Sequence, residues 1–288
     1  MEARNTLIKK NNRIIASIGL KPIVKWAGGK RQLLHEITPL IPDFSTYIEP
    51  FVGGGAVLLH LQPSHAIVND SNSELINMYR CVRDCTDELL VLLRNHEKHN
   101  SADYYYQVRA WDREPDYAQR PCVERAARIL YLNKTCYNGL YRVNSSGYFN
   151  TPYGRYQHPQ IVNEPALRQL ADYLHRDVTL LCGDYTQALR NLPRDSFVYL
   201  DPPYMPVNPT SSFTSYTQNG FTFDDQIRLK NECDRLADQG IHFLQSNSDT
   251  PEIRELYSDY EIAMVEAHRA VNSRADKRGK VNEVLIRG

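Results

Sequence analysis

The sequence predicts an α/β fold built on a largely parallel, doubly wound sheet with a second unit inserted into it. Three observations carry that expectation. Seven short runs rich in β-branched and aromatic residues, at 47–51, 66–70, 178–182, 197–201, 241–246, 262–266 and 283–287, read as strands. Most are separated by stretches with apolar residues at helical spacing, and that alternation is the pattern of a parallel sheet covered on both faces. The interval between residues 70 and 178 is too long for a single crossover, which normally takes one helix and a few loop residues.

In chain order, residues 30–40 (KRQLLHEITPL) have helical spacing, the first strand follows, and it runs into Glu49-Pro50-Phe51-Val52-Gly53-Gly54-Gly55-Ala56-Val57 and a helical stretch. After the second strand comes a helix at 74–84. The insert carries helix-like segments at 86–99, 104–111 and 123–134 and then a glycine- and asparagine-rich, hairpin-like region at 138–154. Helices at 166–174 and 224–239 alternate with the remaining strands. Ligands of such a sheet lie at the carboxyl ends of its strands.

The totals fit one large domain with a second lobe: 288 residues, 42% hydrophobic and 24% charged. No apolar run approaches the roughly 20 residues of a membrane helix, and the first twenty lack the apolar core of a signal peptide, so a cytoplasmic protein is expected. The six cysteines have no CxxC spacing and no companion histidines, which predicts reduced structural thiols and no metal. A formal net charge of +0 speaks against nucleic acid, but its distribution does not. Between Arg125 and Asn163 stand Arg125, Arg128, Lys134, Arg142 and Arg155 with no acid, interleaved with Tyr131, Tyr137, Tyr141, Tyr148, Tyr153 and Tyr156. A second basic stretch holds Arg269, Arg274, Lys277, Arg278 and Lys280 against Asp276 alone. The first pattern favours nucleic acid; the second fits that reading and a solvated loop equally.

The glycine loop excludes two nucleotide sites. A dinucleotide fingerprint needs a glycine where Leu58 stands, and a Walker loop needs a hydroxyl where Arg31 follows Lys30 and a glycine at Val24. What remains is F-x-G-x-G after a strand, then an acidic strand end at Asp70, whose carboxylate can accept ribose hydroxyl hydrogens. A tight structural turn and, for Asp70, a capped turn into Ser71-Asn72-Ser73 are the plain alternatives. The run Phe197-Val198-Tyr199-Leu200-Asp201-Pro202-Pro203-Tyr204 reads as a buried strand stopped by two prolines. A helix N-cap is the ordinary role for such an aspartate, but Pro-Pro-Tyr is a poor helix start.

Phe51-Val52-Gly53-Gly54-Gly55 followed by Asp201-Pro202-Pro203-Tyr204 resembles the α group of S-adenosylmethionine-dependent amino-methyltransferases of DNA. Lys25-Trp26-Ala27-Gly28-Gly29-Lys30, Tyr137-Asn138-Gly139-Leu140-Tyr141-Arg142-Val143-Asn144 and Phe149-Asn150-Thr151-Pro152-Tyr153-Gly154-Arg155-Tyr156 narrow the resemblance to the Dam family, adenine methyltransferases acting on GATC. It covers nearly the whole chain from Lys21 to Gly288. It implies a Rossmann-like seven-stranded methyltransferase sheet with an inserted, mostly helical target-recognition domain ending in a β-hairpin. The expected division is an N-terminal extension at 1–20, a catalytic domain at 21–70 and 165–288, and target recognition at 71–164. Restriction-modification methylases share the resemblance with free-standing ones; in the former case a cognate restriction endonuclease would use the same site.

The chemistry explains the residue types. Adenine N6 is a poor nucleophile because its lone pair is delocalised into the ring, and hydrogen bonds from its two hydrogens to the Asp201 carboxylate and the Pro202 carbonyl favour a more tetrahedral nitrogen. Consecutive prolines fix the carbonyl's direction. Tyr204 offers a ring face for the base, which must be flipped out of the duplex. Cytosine N4 shares this chemistry, but such enzymes more often carry Ser at the Asp201 position.

The resemblance also places Trp26, Lys30, Glu49, Phe51, Gly53, Gly55, Asp70, Asp184, Tyr185 and Asp201 near S-adenosylmethionine, whose product is S-adenosylhomocysteine. Trp26 could equally be core and Lys30 a helix start. Arg142 matches the arginine that reads guanine through O6 and N7, with a phosphate contact or hairpin salt bridge as its alternative. Pro152 matches a residue at a thymine methyl, Leu140 and Asn138 residues at the base step, Tyr137 an aromatic that fills the vacated stack, and Lys25 a lysine that reaches DNA. Arg155 and the late basic stretch are expected at phosphates. Tyr141 stands where some relatives carry a smaller residue, so its packing is open.

Overall fold

The strand-forming runs assemble into one seven-stranded sheet, seen in a computed structural model that describes residues 19–206, 221–268 and 280–288. A short helix α1 (Leu34–Ile37) between two 3-10 turns (Lys30–Gln32 and Thr38–Leu40) precedes β1 (Thr46–Glu49). The single helix expected over 30–40 is broken because Thr38 returns its hydroxyl to the Leu34 carbonyl at 2.6 Å and Pro39 has no N–H to extend the ladder. Helix α2 (Ala56–Leu61) leaves the glycine loop, and β2 (His65–Asp70) returns beside β1. Then come α3 (Ser73–Asp84), α4 (Thr86–His99), α5 (Ala102–Ala110), α6 (Cys122–Thr135) and α7 (Glu164–Leu174), leading to β3 (Asp177–Cys182) and β4 (Ser196–Leu200). The chain closes with α8 (Phe223–Asp238), β5 (His242–Ser248), α9 (Pro251–Leu256), β6 (Glu261–His268) and β7 (Lys280–Arg287).

The strand order is β3-β2-β1-β4-β5-β7-β6. The first five pair in parallel, whereas β7 is antiparallel to both β5 and β6, so the parallel expectation holds for most of the sheet and fails at one edge. Order reverses between β1 and β4, which places the loops after these two strands on either side of the crevice where such sheets bind ligands.

Both faces of the sheet are covered. Along β4, Phe197 and Tyr199 enter the core formed with α3, α6 and α7, while Val198 and Leu200 enter the core formed with α8 and α9. The first core continues without a break into the insert through Leu89, Leu93, Tyr105, Val108 and Tyr131. Helix α3 touches β2, β3 and α6 together, and Arg80 reaches from it to the Leu180 carbonyl at 3.0 Å.

The hairpin-like region has no continuous ladder. It has two isolated bridges, Cys136 with Tyr153 and Val143 with Phe149, and backbone bonds such as Asn150 N–H to Arg142 O at 3.0 Å. Left-handed Asn138 (φ 57°) and Gly139 (φ 66°) turn one arm away, and Pro152 cannot donate from the other.

Asn133, on α6 and only 3% exposed, locks the insert to the segment that precedes β1. Its amide donates to Lys25 O (2.8 Å) and Gly139 O (3.1 Å), and its carbonyl accepts from Lys25 N–H (2.9 Å). Asn133→Ala strands these backbone groups, each worth about 1–3 kcal/mol when left unsatisfied in a buried setting. Urea unfolding of that variant is expected to show a loss of about 2–4 kcal/mol; a change below about 0.5 kcal/mol, the range of ordinary surface substitutions, would show the joint to be energetically idle.

Candidate active site

Asp201 follows the last residue of β4 and begins no helix, so it is not an N-cap. Its Oδ1 accepts from Lys30 Nζ at 2.8 Å and from Ser246 Oγ at 2.9 Å. Lys30 is 4% exposed, and its ammonium also binds the Gly28 carbonyl (2.6 Å) and lies 4.6 Å from the centre of the Tyr204 ring. Lys30 opens a 3-10 turn, close to the plainer reading of it as a helix start, and its ammonium reaches the Asp201 carboxylate. Burial pushes the Asp201 acid upward, and the Lys30 charge and the Ser246 hydroxyl oppose that shift.

A second acid lies close by. Glu49, 2% exposed at the end of β1, accepts from Tyr47 O–H (2.9 Å) and Leu58 N–H (3.1 Å). Burial first, and then the negative charge of Asp201, push its carboxyl to about 8 against the pull of these hydrogen bonds and Lys30. At neutral pH Glu49 is the protonated member of the pair, and the Lys30 charge faces Asp201.

The loop after Asp201 is clamped by groups that carried no motif. Gln226 Nε2 donates to Pro203 O (3.0 Å), and Asn247 Nδ2 donates to Gln226 Oε1 (3.0 Å). Met205 N–H donates to Asn247 Oδ1 (3.1 Å), Ser248 Oγ to Met205 O (2.6 Å), and Tyr204 O–H to Glu283 Oε2 (2.7 Å). The available signal was Gln245-Ser246-Asn247-Ser248, four polar residues in a strand flanked by others, all of them at most 1% exposed. Buried polar side chains in a sheet need partners, and here Ser246, Asn247 and Ser248 find them in the loop after β4.

Across the crevice, Gly53 (φ 48°) and Gly55 (φ 69°) are left-handed, and a Cβ on Gly53 would meet Trp26 Cδ1 at 3.0 Å. Asp70 accepts from Gly53 N–H (3.0 Å) through one oxygen and Asn72 N–H (2.9 Å) through the other, so the turn-capping alternative is realised, and burial raises its pKa. Phe51 packs against Tyr185 (5.1 Å between centroids) and edge-on against Phe221 (6.1 Å). The buried Tyr185 hydroxyl has no hydrogen-bond partner among the described residues. Asp184 forms a two-pronged pair with Arg228, both contacts at 2.8 Å, and this pair first, with Thr186, holds its carboxyl down at about 2. A bare glycine backbone, a carboxylate at the next strand end, an aromatic wall and an orphaned hydroxyl fit a nucleoside-bearing donor.

On the insert, Tyr137, Arg142, Pro152 and Arg155 are exposed and Asn138 and Leu140 are half-buried, while Lys25, on the segment before β1, is exposed beside them. Arg142 Nε donates to Asn150 Oδ1 at 2.7 Å. Other members of the basic, tyrosine-rich stretch turn inward, which corrects the view of it as one nucleic-acid surface. Arg128 is 2% exposed and pairs with Asp112 at 2.9 Å, and Arg125 pairs with Glu74 at 2.8 Å. Tyr131 is core, and Tyr141 stacks on Trp26 with ring centroids 4.6 Å apart. Trp26 thus packs between the glycine loop and the insert. The late basic stretch from Arg269 to Arg278, the side chain of Lys280 and residues 1–18 lie outside the described residues.

The family model of D12 class N6 adenine-specific DNA methyltransferases matches residues 26–271. The chain is 43% identical over 282 residues to the type II methyltransferase M1.LlaDCHI of Lactococcus lactis subsp. cremoris, covering 97% of this chain and 98% of the relative. It is 42% identical to the type II methyltransferase M.MjaIII of Methanocaldococcus jannaschii, covering 93% and 98%. With the DNA adenine methylase of Escherichia coli K12 the identity is 38%, over 92% of this chain and 94% of that one.

The raised Glu49 carboxyl has a stability consequence. Folded, it titrates at about 8; unfolded, at about 4.3. Between these values the folded chain holds a proton that the unfolded chain releases, so stability falls as pH rises, by at most about 1.4 kcal/mol per pH unit. Glu49→Gln should flatten the decline in urea unfolding followed from about pH 5 to pH 8. Identical slopes for the two proteins would mean that Glu49 is ionised throughout.

Proposed function

The chain belongs to the D12 class N6 adenine-specific DNA methyltransferases, and from that premise we propose that it methylates N6 of a flipped-out adenine within duplex GATC, with S-adenosylmethionine as donor and S-adenosylhomocysteine as product. The observation that carries the reading is the Asp201 carboxylate held at Oδ1 by Lys30 and Ser246. Among the described residues this leaves Oδ2 for an amino group, with the Pro202 carbonyl next to it in the chain.

Asp201 and Pro202 take the two amino hydrogens and direct the nitrogen lone pair outward, while Tyr204 supports the base. Their directions are set before substrate arrives, because Pro203 is held through its carbonyl by Gln226. S-adenosylmethionine, when bound, supplies an electrophilic sulfonium methyl. Trp26, Phe51, Gly53, Gly55, Asp70, Asp184 and Tyr185 would hold it, with the Lys30 ammonium and the Glu49 carboxyl at its edge.

Residues 71–164 serve as target recognition and the remainder, from 21, as the catalytic domain. Asn150 fixes Arg142 at Nε and leaves its two terminal nitrogens for guanine O6 and N7. Tyr137 occupies the vacated stack, Leu140, Asn138 and Pro152 lie at the base steps, and Lys25 and Arg155 lie at the backbone. Two of the relatives are named type II methyltransferases, which favours protection of DNA from a cognate restriction endonuclease as the setting.

Modification-detecting sequencing of DNA from cells that express the protein tests base and site together: N6-methyladenine at GATC is expected, and its absence there would refute the assignment. Asp201→Ala should abolish methyl transfer with an unchanged circular dichroism spectrum, whereas near-normal turnover would remove Asp201 from the chemistry. Arg142→Ala should cost about 1–3 kcal/mol of discrimination at the guanine. A uniform loss on all sequences would instead mark a phosphate contact.

A further inference from the structure

Strand β7 interrupts an otherwise parallel succession, and its register shows what it brings. Glu283 pairs opposite Ser248, the last residue of β5. Because β7 runs antiparallel, a residue from its early part lies at the carboxyl end of the neighbouring strands, where the loop after β4 also emerges. There Glu283 Oε2 accepts the Tyr204 hydroxyl at 2.7 Å. Burial raises the Tyr204 pKa well above its ordinary value, which keeps the hydroxyl a donor. The ring is thereby held at three points: Pro203 before it is fixed by Gln226, one face has the Lys30 ammonium 4.6 Å from its centre, and its far end is tied to Glu283.

The geometry points to Glu283 as a positioning residue that sets the plane of Tyr204, so that the target base stacks on the ring in one orientation with its amino group at Asp201. Without this bond the far end of the ring loses its anchor to β7, and the Lys30 ammonium on one face and the fixed Pro203 carbonyl remain to restrain it. A hydrogen bond to a carboxylate also places electron density on the phenol, which strengthens the attraction between the ring face and the ammonium. The inference rests on Tyr204 being the face on which the flipped adenine stacks.

The test uses the full chain with a GATC duplex, and a second duplex carries 2-aminopurine in place of the target adenine. Glu283→Ala should lower kcat on the order of tenfold to a hundredfold, the size of effect that small misplacements produce, and leave KM for DNA nearly unchanged. The bound 2-aminopurine should fluoresce more brightly than with the unmodified protein, because it stacks less well. Glu283→Gln keeps an acceptor and should restore most of the turnover. Tyr204→Phe removes the same bond from the other end, so it reports even if Glu283→Ala folds poorly, and the double variant should be no worse than the poorer single variant. Normal turnover and fluorescence in Glu283→Ala, or losses that multiply in the double variant, would overturn the inference. Tyr204→Ala separates it from the reading beneath it. If Tyr204→Ala is silent, the stacking assignment fails and this inference with it; if Tyr204→Ala is severe and Glu283→Ala silent, only the inference fails.

Discussion

The contact on which the site depends is the ion pair between Lys30 and Asp201, 2.8 Å apart, with the lysine almost wholly out of water. Taking an ammonium and a carboxylate into a protein interior costs several kcal/mol per ion, and their attraction offsets this only where further hydrogen bonds complete both groups. Here Gly28 O completes the ammonium and Ser246 Oγ the carboxylate. Such a pair is a poor source of stability but an exacting constraint on position, because either charge alone would be buried without compensation. It joins the segment before β1 to the end of β4, two pieces that the strand order puts side by side.

The same logic runs outward through the polar end of β5. Ser246, Asn247 and Ser248 occupy positions that an ordinary buried strand would fill with apolar side chains, and each hydrogen-bonds to the loop after β4 or to a group that does. Hydrophobic packing has no direction and could not hold a carbonyl to a bearing, whereas a hydrogen bond can. The apolar cores on either face supply cohesion, and the polar seam supplies orientation.

Much of this was legible in the sequence because short-range physics is local. The seven strands, most of the helices and the insert followed from periodicity and gap length, and Asp201 to Tyr204 could be found because two prolines and an acid after an apolar run have no good structural use. What was not legible is pairwise and distant. Nothing near Glu283 marks it, since its partner Tyr204 is 79 positions away. Gln226, on a helix face, looked like any polar residue before Pro203 was known to lie beneath it. Arg125 and Arg128 were miscounted with the exposed cations because a helix alternates its faces, and composition alone ignores which face meets Glu74 and Asp112. The six-residue helix α9 was missed because it offers less than two turns of pattern.

The joint at Asn133 bears on how readily such an enzyme could change its target over time. One buried amide is shared among the chain at Lys25, the end of α6 and the turn at Gly139, where a Cβ would strike the Lys25 side chain at 2.6 Å. The hairpin is therefore not a cassette that can be exchanged for a neighbour's. A transplanted loop would arrive without its matching stretch around residue 25 and would break the seam that orients Trp26 and, beyond it, Lys30. If the exposed Arg142, Pro152 and Tyr137 read the target as proposed, drift in specificity is channelled into such single side chains, which can vary while the backbone beneath them stays as it is.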